Sequence, residues 1–457
     1  MALTKVTWNM VDQTSTSTAT NNTFIGNGAL DSVSSGGANT AVGASAGTAL
    51  TSGSQNTAIG KSALESMVEG NNNTAVGFGA LRYANDPSSI QNTCVGSLAG
   101  GVITEGNNNT AVGHNCMFTL TTGDLNTAIG QGALAYCVTG SYNTASGYHA
   151  LLNYTGSNGV AYGVEALTSL TTGTNNTAVG YGALKTVTTA ASNTAFGYLA
   201  GTVLTSAQNT AVGDSALNAT TSGAANTGIG YNALVANQTG ANNTAVGAQA
   251  LISNISGSRN VALGRVTLIN ATGSDNTAIG TTALNACTTG QFNTALGGQA
   301  LLSLTTFDNC TGVGYDSAVT GSNQVQLGNS STTTYAYGAV QNRSDARDKA
   351  DVKDTELGLS FINSLRPVDF RWDFREDYDW KEKDGSKKRN RFHHGLIAQE
   401  VKAACDAAGV DFGGYQDHSV NGGQDVQSIG YAELIAPLIK AVQELSKQVD
   451  ELKSKLA

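Results

Sequence analysis

Ser344 and Lys349 are the residues of this chain whose types and spacing best fit covalent chemistry. They lie in Arg343-Ser344-Asp345-Ala346-Arg347-Asp348-Lys349, a compact charged stretch. A serine hydroxyl becomes a nucleophile when a neighbouring base takes its proton, and a lysine serves as that base when its surroundings favour the neutral amine. A nearby cation such as Arg347 pushes in that direction. The chemistry on offer is self-cleavage of the chain at this junction. Spacing alone decides little, because serine and lysine five apart arise by chance in many chains. Position says more, since the stretch divides a monotonous, nearly charge-free region from a mixed and charged one.

That division shows in the composition. The chain has 457 residues, of which 56 are glycine and only 3 proline. Charged residues make up 12%, about half the usual share. Of 24 lysines and arginines, only Lys5, Lys61, Arg82, Lys185, Arg259 and Arg265 precede Arg343. Neither part is strongly basic, which argues against a nucleic-acid partner. No window is apolar and long enough for a transmembrane helix, and Met1-Ala-Leu-Thr-Lys5 lacks the apolar core of a signal peptide, so synthesis in a host cytoplasm without membrane insertion is expected.

The elements that must position the junction begin with a repeat. From Asn22 onward the phrase Asn-Thr-Ala-Val-Gly recurs, followed two residues later by Ala-Leu. Its eighteen closing glycines run from Gly26 to Gly314 at a spacing of seventeen with small slips. That period is too short for a helical pair and matches one coil of a β-solenoid or β-roll. The residue before the glycine is apolar (Ile25, Val42, Ile59), the one before that is Ala, and the Leu column includes Leu30, Leu64 and Leu81. Val/Ile alternating with Thr reads as a half-buried strand. The Ala face reads as one that meets something at very short range, consistent with three rods associating along an axis. Stacked Asn39, Asn56, Asn73, Asn109 and Asn126 suit an axial hydrogen-bond ladder, and glycine permits the tight corner.

Other features of the chain carry weaker signals. Aromatic residues follow the repeat glycine at Phe78, Tyr148, Tyr181, Tyr198 and Tyr231, with His114 and Tyr315 in the same column. Outward-facing rings would form a platform for glycans, while the plainer reading is that they stack to cover neighbouring coils. Cys94, Cys116, Cys137, Cys287, Cys310 and Cys405 lack paired spacing and read as buried thiols rather than disulfides or a metal site. The Asn-x-Thr triplets follow automatically from the repeat. Residues 1–21, with Trp8 and Met10, form a leader that either attaches the protein to a larger particle or frays.

Residues 22–328 therefore form the fibre repeats, closed by a shortened copy at Asn323–Gly328, and 329–343, with Tyr335 and Tyr337, a connector. Beyond it, Thr355–Ser364 reads as a helix, Val368–Phe374 as a strand, Lys381–Arg391 as a solvated hairpin turn around Asp384-Gly385, and Gly395–Val401 as the start of another helix. His393-His394 lacks a partner at metal-ligand spacing and reads as structural. Ile435, Leu438, Val442, Leu445, Val449, Leu452 and Leu456 alternate by three and four, as in a coiled-coil seam, and such a seam signals oligomerisation.

Residues 344–457 resemble the intramolecular chaperone auto-processing domain at the C-terminus of phage endosialidase tailspikes and other phage tail fibres. The resemblance rests on Ser344-Asp345-x-Arg347-x-Lys349, Leu365-Arg366-Pro367-Val368 with its aromatic strand, Gly395-Leu-Ile-Ala-Gln-Glu-Val401, Gly430-Tyr431 and the terminal seam. It implies a domain that trimerises, drives the preceding β-fibre to fold as a trimer, and then cuts itself off. It also implies Ser344 as nucleophile, Lys349 as base, Arg343-Ser344 as the scissile bond, and Asp345 and Arg347 as supporting residues. The repeat separately resembles the β-roll heads of trimeric bacterial adhesins, with a longer period.

The expected fold is thus mainly β, an elongated homotrimeric β-solenoid followed by a small α+β chaperone domain that ends in a trimeric coiled coil. The expected function is that of a virion tail fibre and receptor-binding protein, with a single-turnover autoprotease and a non-enzymatic mature fibre that needs no cofactor and no metal. Expected partners are other copies of the chain, a tail or baseplate protein at one end, and a host-surface receptor of glycan type. The alternatives are a tailspike depolymerase acting on host glycans, which the scarcity of carboxylate pairs in the repeat disfavours, a trimeric adhesin-like surface protein, and an ice-binding solenoid, which the assembly domain disfavours.

Overall fold

The computed structural model describes residues 19–84, 89–332, 334, 344–375, 378, 382–421 and 425–456. The leader residues Trp8 and Met10 and the connector tyrosines Tyr335 and Tyr337 lie outside them, as does Arg343. The chain divides into two compact units, Met1–Val319 with Val325–Thr332, and Thr320–Gln324 with Thr333–Ala457.

The first unit is a parallel β-solenoid. Among the described residues nineteen three-residue strands, from β1 (Thr23–Ile25) to β19 (Val325–Leu327), each pair in parallel with the next. Equivalent residues stack directly, Ala41 opposite Ala58 and Ala58 opposite Ala75. At about 4.8 Å per coil the eighteen coils span on the order of 85 Å.

The columns sort differently from the pattern expected. In each Thr-Ala-Val triplet the first and third residues are two apart and share one face, and the middle one points the other way. The inward residue is Ala, with Ala41, Ala75 and Ala111 at 0% exposure. The outward apolar residue is the one before the glycine, with Ile25, Ile129 and Leu263 at 45–46%. The Ala face is therefore the lining of each coil, packed against the buried leucines Leu64, Leu81 and Leu134, and not a surface where rods meet. The interior opposite leucine holds small side chains, Ala in most coils and Cys94 in one.

The corners explain the remaining constants. Gly43 has φ +138°, and a Cβ there would lie 2.6 Å from the carbonyl carbon and oxygen of Gly60 in the next coil. Glycine is required by both the backbone angle and the stacking. Leucine also sits at a corner: Leu64, Leu81 and Leu134 adopt φ of 50–52°. Left-handed backbone costs about 1–2 kcal/mol for a residue with a Cβ, and full burial of the leucine offsets it. The asparagine ladder forms as expected. Asn56 N donates to Asn39 Oδ1 at 2.9 Å and Asn73 N to Asn56 Oδ1 at 2.9 Å, while Asn56 Nδ2 reaches the Gly70 carbonyl at 2.8 Å. All six cysteines are buried free thiols. Burial pushes the Cys116 thiol up to about 12 and those of Cys137 and Cys287 up to about 11, so they act as packing groups and not as nucleophiles.

The second unit is a small α+β fold. Helix α1 (Leu359–Ser364) is followed by β20 (Val368–Phe370) paired antiparallel with β21 (His393–Gly395), then α2 (Ala398–Ala408), the antiparallel pair β22 (Tyr415–Asp417) and β23 (Gln427–Ile429), and α3 (Ile435–Leu456). Phe361, Val401, Cys405, Phe412 and Leu434 form its core. Three expectations shift. The first helix begins at Leu359 rather than Thr355, because Gly358 at φ −115°, ψ −143° interrupts the backbone. The second begins at Ala398, since Gly395 still belongs to β21. Of Val368–Phe374 only the first three residues are paired, and the rest continues as an aromatic stack in which Trp372 and Phe374 lie 4.8 Å apart. The Asp384-Gly385 turn forms within the β20–β21 connection, with Gly385 at φ +79°. Helix α2 ends where Gly409, at φ +66°, takes the left-handed cap.

Candidate functional site

Ser344 and Lys349 are brought together by one turn. The Asp345 carboxylate accepts from the Arg347 backbone N–H at 2.9 Å and so caps the 3-10 turn Ala346–Asp348. The turn closes with Lys349 N donating to the Ala346 carbonyl at 3.3 Å. The Lys349 side chain then folds back, and its Nζ donates to Ser344 Oγ at 2.7 Å. Arg347 binds the same carboxylate, Nη2 to Oδ2 at 2.6 Å. Its side chain, and after it its backbone N–H, hold the Asp345 carboxyl below the usual carboxylate range.

This pairing alters the role expected of Arg347. Its positive charge is matched by Asp345 rather than turned on Lys349. Ser344, Ala346, Arg347, Asp348 and Lys349 are all exposed in the single chain. Lysine is the donor in this hydrogen bond, whereas a base must accept from the hydroxyl. Ser344 and Lys349 are in contact here, with both residues open to solvent.

The other motif stretches converge in the second unit. Arg366 forms an ion pair with Glu400, its Nε donating to Oε2 at 3.0 Å. Leu396 N donates to the Tyr431 hydroxyl at 2.9 Å. A Cβ on Gly395 would lie 2.4 Å from that hydroxyl, so the glycine makes room for Tyr431. The sequence placed these stretches in order, without any sign that they touch. Glu444 was missed altogether: it lies in α3, and its Oε2 accepts from Leu359 N at 2.8 Å, capping α1 from 85 residues away. Its position on a solvated helix face carried no signal.

Helix α3 packs on its own unit through Pro437 and Ala441. The seam is a different face, with Leu438, Val442, Leu445 and Val449 between 40% and 65% exposed. His394 Nδ1 contacts Asp369 Oδ1 at 2.5 Å and His393 stacks on Phe370, in keeping with structural roles. Among the described residues no group of three or more His, Cys, Asp or Glu side chains could hold a metal ion, and no helix is long and apolar enough to cross a membrane. On the solenoid Phe78, Tyr148, Tyr181, Tyr198 and Tyr231 all face outward, and Tyr181 and Tyr198 stack with centroids 5.4 Å apart.

Comparison with known proteins agrees with this architecture. Residues 344–410 match the family described as chaperone of endosialidase. A Dictyostelium discoideum protein, myelin gene regulatory factor-like A, is 32% identical over 130 residues, which is 27% of this chain and 13% of that protein. No solved structure matches. A β-solenoid followed by an endosialidase-type chaperone domain fits a tail fibre or tailspike, and the family implies an autoproteolytic chaperone at the C-terminus.

Proposed function

We propose that this protein is a phage tail-fibre subunit whose C-terminal domain assembles three chains and then cleaves each once, between Arg343 and Ser344. The observation that carries this reading is the 2.7 Å contact of Lys349 Nζ with Ser344 Oγ at the first residue of the chaperone match. Ser344 is the nucleophile, Lys349 the base, and the Asp345–Arg347 pair holds the turn that joins them.

Two exposed apolar surfaces support assembly. The α3 seam presents an apolar residue at each turn with its packing face already used. On the solenoid the Val/Ile column does the same in nearly every coil, from Ile25 to Leu327. A parallel homotrimer covers both at once, and this column takes the place first given to the Ala face. A parallel solenoid whose strands bond only to the coils before and after them exposes strand edges at its growing ends and must find its register against the other chains. A nucleus at the C-terminus sets the register first, and its removal leaves a fibre that is kinetically trapped. Attachment to a tail or baseplate at one end, and recognition of a host-surface receptor, complete the proposed role in the virion. A depolymerase is disfavoured because Glu65, Glu165 and Asp275 are each paired with a cation, at 2.5–2.6 Å.

The test is a denaturing gel of the purified full-length chain beside Ser344→Ala. The parent should give two bands, near residues 1–343 and 344–457, and the variant one. A parent that stays intact after forming trimers would refute the cleavage.

A further inference from the structure

The column after the repeat glycine changes character over a few coils near the middle of the solenoid. There it reads Tyr181, Tyr198, Asp214, Tyr231 in four successive coils. The backbone ladder fixes this order, since Leu199 N donates to Tyr181 O at 2.9 Å, Ser215 N to Tyr198 O at 2.9 Å and Asn232 N to Asp214 O at 3.0 Å. Tyr181 and Tyr198 lie 16° from parallel at 5.4 Å, close to the rise of one coil, so their faces are directed along the axis. One face of Tyr198 is covered by Tyr181. The other looks toward the coil of Asp214, where the aligned residue is short, and Tyr231 stands one coil beyond it.

We infer that Tyr198, Asp214 and Tyr231 form a slot for one pyranose ring of a surface glycan. The two tyrosines are two coils apart, on the order of 9–10 Å. That distance admits one saturated ring between them, because each carbon–carbon contact takes about 4 Å. Asp214 is exposed at the floor of the slot. Ser215 Oγ donates to its Oδ1 at 2.7 Å, which holds the carboxylate in place and leaves Oδ2 for ligand hydroxyls. A sugar ring has the matching chemistry, with apolar C–H faces and a rim of hydroxyl donors. Tyr198 and Tyr231 are 52% and 54% exposed. Below the slot the column continues through Tyr181, Val164 and Tyr148, so further residues of a linear chain would meet aromatic and apolar edges and two phenol hydroxyls. A compact cation would also suit two rings and a carboxylate, but it would use only the slot and none of this continuation.

The slot lies wholly within the solenoid, so it stands whether or not the Ser344 junction cleaves. The test measures binding of maltopentaose, cellopentaose and chitopentaose to the full-length chain by saturation-transfer NMR and calorimetry. At least one should bind. Tyr198→Ala and Tyr231→Ala should each weaken that binding about tenfold or more, and Asp214→Asn by several-fold. Tyr198→Phe should preserve most of it, and Phe292→Ala, an exposed ring outside this column, should leave it unchanged. Isosteric Asp214→Asn and Tyr198→Phe keep the test valid if an alanine variant misfolds. The inference is overturned if none of the three saccharides binds, if binding is indifferent to all of the slot substitutions, or if tetramethylammonium binds there and the sugars do not. A loss of oligomer mass in Tyr198→Ala without any change in sugar binding would also overturn it, by assigning the face to contact between copies.

Discussion

Lys349 Nζ lies 2.7 Å from Ser344 Oγ, with both residues exposed on one capped turn. The proposed nucleophile and base are therefore already in contact in the single chain. Lys349→Arg separates the two roles of the lysine, because arginine keeps the charge and can still donate to the serine but cannot give up its proton. We expect it to slow cleavage about 10²–10⁴-fold while the oligomer still forms. The checks are gel densitometry over time and light scattering on the same sample. Cleavage at the parent rate in Lys349→Arg would remove lysine from the role of base.

The seam of α3 yields an assembly prediction. Val442 and Leu445 are 65% and 49% exposed, while Pro437 and Ala441 hold the helix to its unit. Val442→Asp with Leu445→Asp should abolish association without unfolding the domain. Sedimentation velocity should then show monomers and far-UV circular dichroism an unchanged helical signal. Cleavage should fall with assembly, because an exposed lysine needs a neighbouring chain to desolvate it. Trimers of normal mass in the double variant would place the assembly contacts elsewhere.

Much of this architecture was legible because a repeat shows the same column many times over. The seventeen-residue period, the buried Leu64 and Leu81 and the Asn39–Asn56–Asn73 ladder could all be read that way. The faces of the strand could not, because Thr40, Ala41 and Val42 are too short a run to show which parity is buried, and apolarity favoured Val42. What decided it was the width of the coil, which no single residue records. The left-handed backbone of Leu64 was hidden for a similar reason, since leucine in a corner is tolerated only when the interior is there to receive it. In the C-terminal unit the motif stretches were visible, but Arg366–Glu400 and Leu396–Tyr431 are contacts across 34 and 35 residues, and local pattern is silent about such pairs.

The Arg366–Glu400 pair predicts a dependence on pH. The Arg366 guanidinium holds the Glu400 carboxyl below its ordinary range, chiefly by hydrogen bonding. A carboxyl whose pKa is depressed in the folded state contributes stability above its unfolded pKa and loses it as pH falls through the folded value. Glu400→Gln should therefore lower the urea midpoint of the chaperone unit at neutral pH. The gap between parent and variant should narrow as pH drops below about 4. Both side chains are solvent-accessible, so the effect is small and screened by salt. A gap that stays constant from pH 7 to pH 3 would show that the pair contributes through packing rather than charge.

Asn109 tests what holds one coil to the next. It is fully buried, its Nδ2 donates to the Gly123 carbonyl at 2.8 Å, and its Oδ1 accepts from Asn126 N at 3.0 Å. Asn109→Ala removes both partners and leaves a backbone N–H and a carbonyl unpaired in the interior. Each orphaned group costs about 1–3 kcal/mol, so the local loss should be about 2–6 kcal/mol. Asn109→Asp should be worse at neutral pH, since a carboxylate cannot donate to Gly123 and would be buried without a cation. Because the fibre is expected to be trapped kinetically, the measurement is the unfolding rate of the cleaved fibre in guanidinium, extrapolated to water. Each 1.4 kcal/mol lost from the folded state alone should accelerate unfolding up to about tenfold. Unfolding of Asn109→Ala at the parent rate would mean that the backbone ladder and the leucine column suffice, and that the buried asparagines serve register rather than stability.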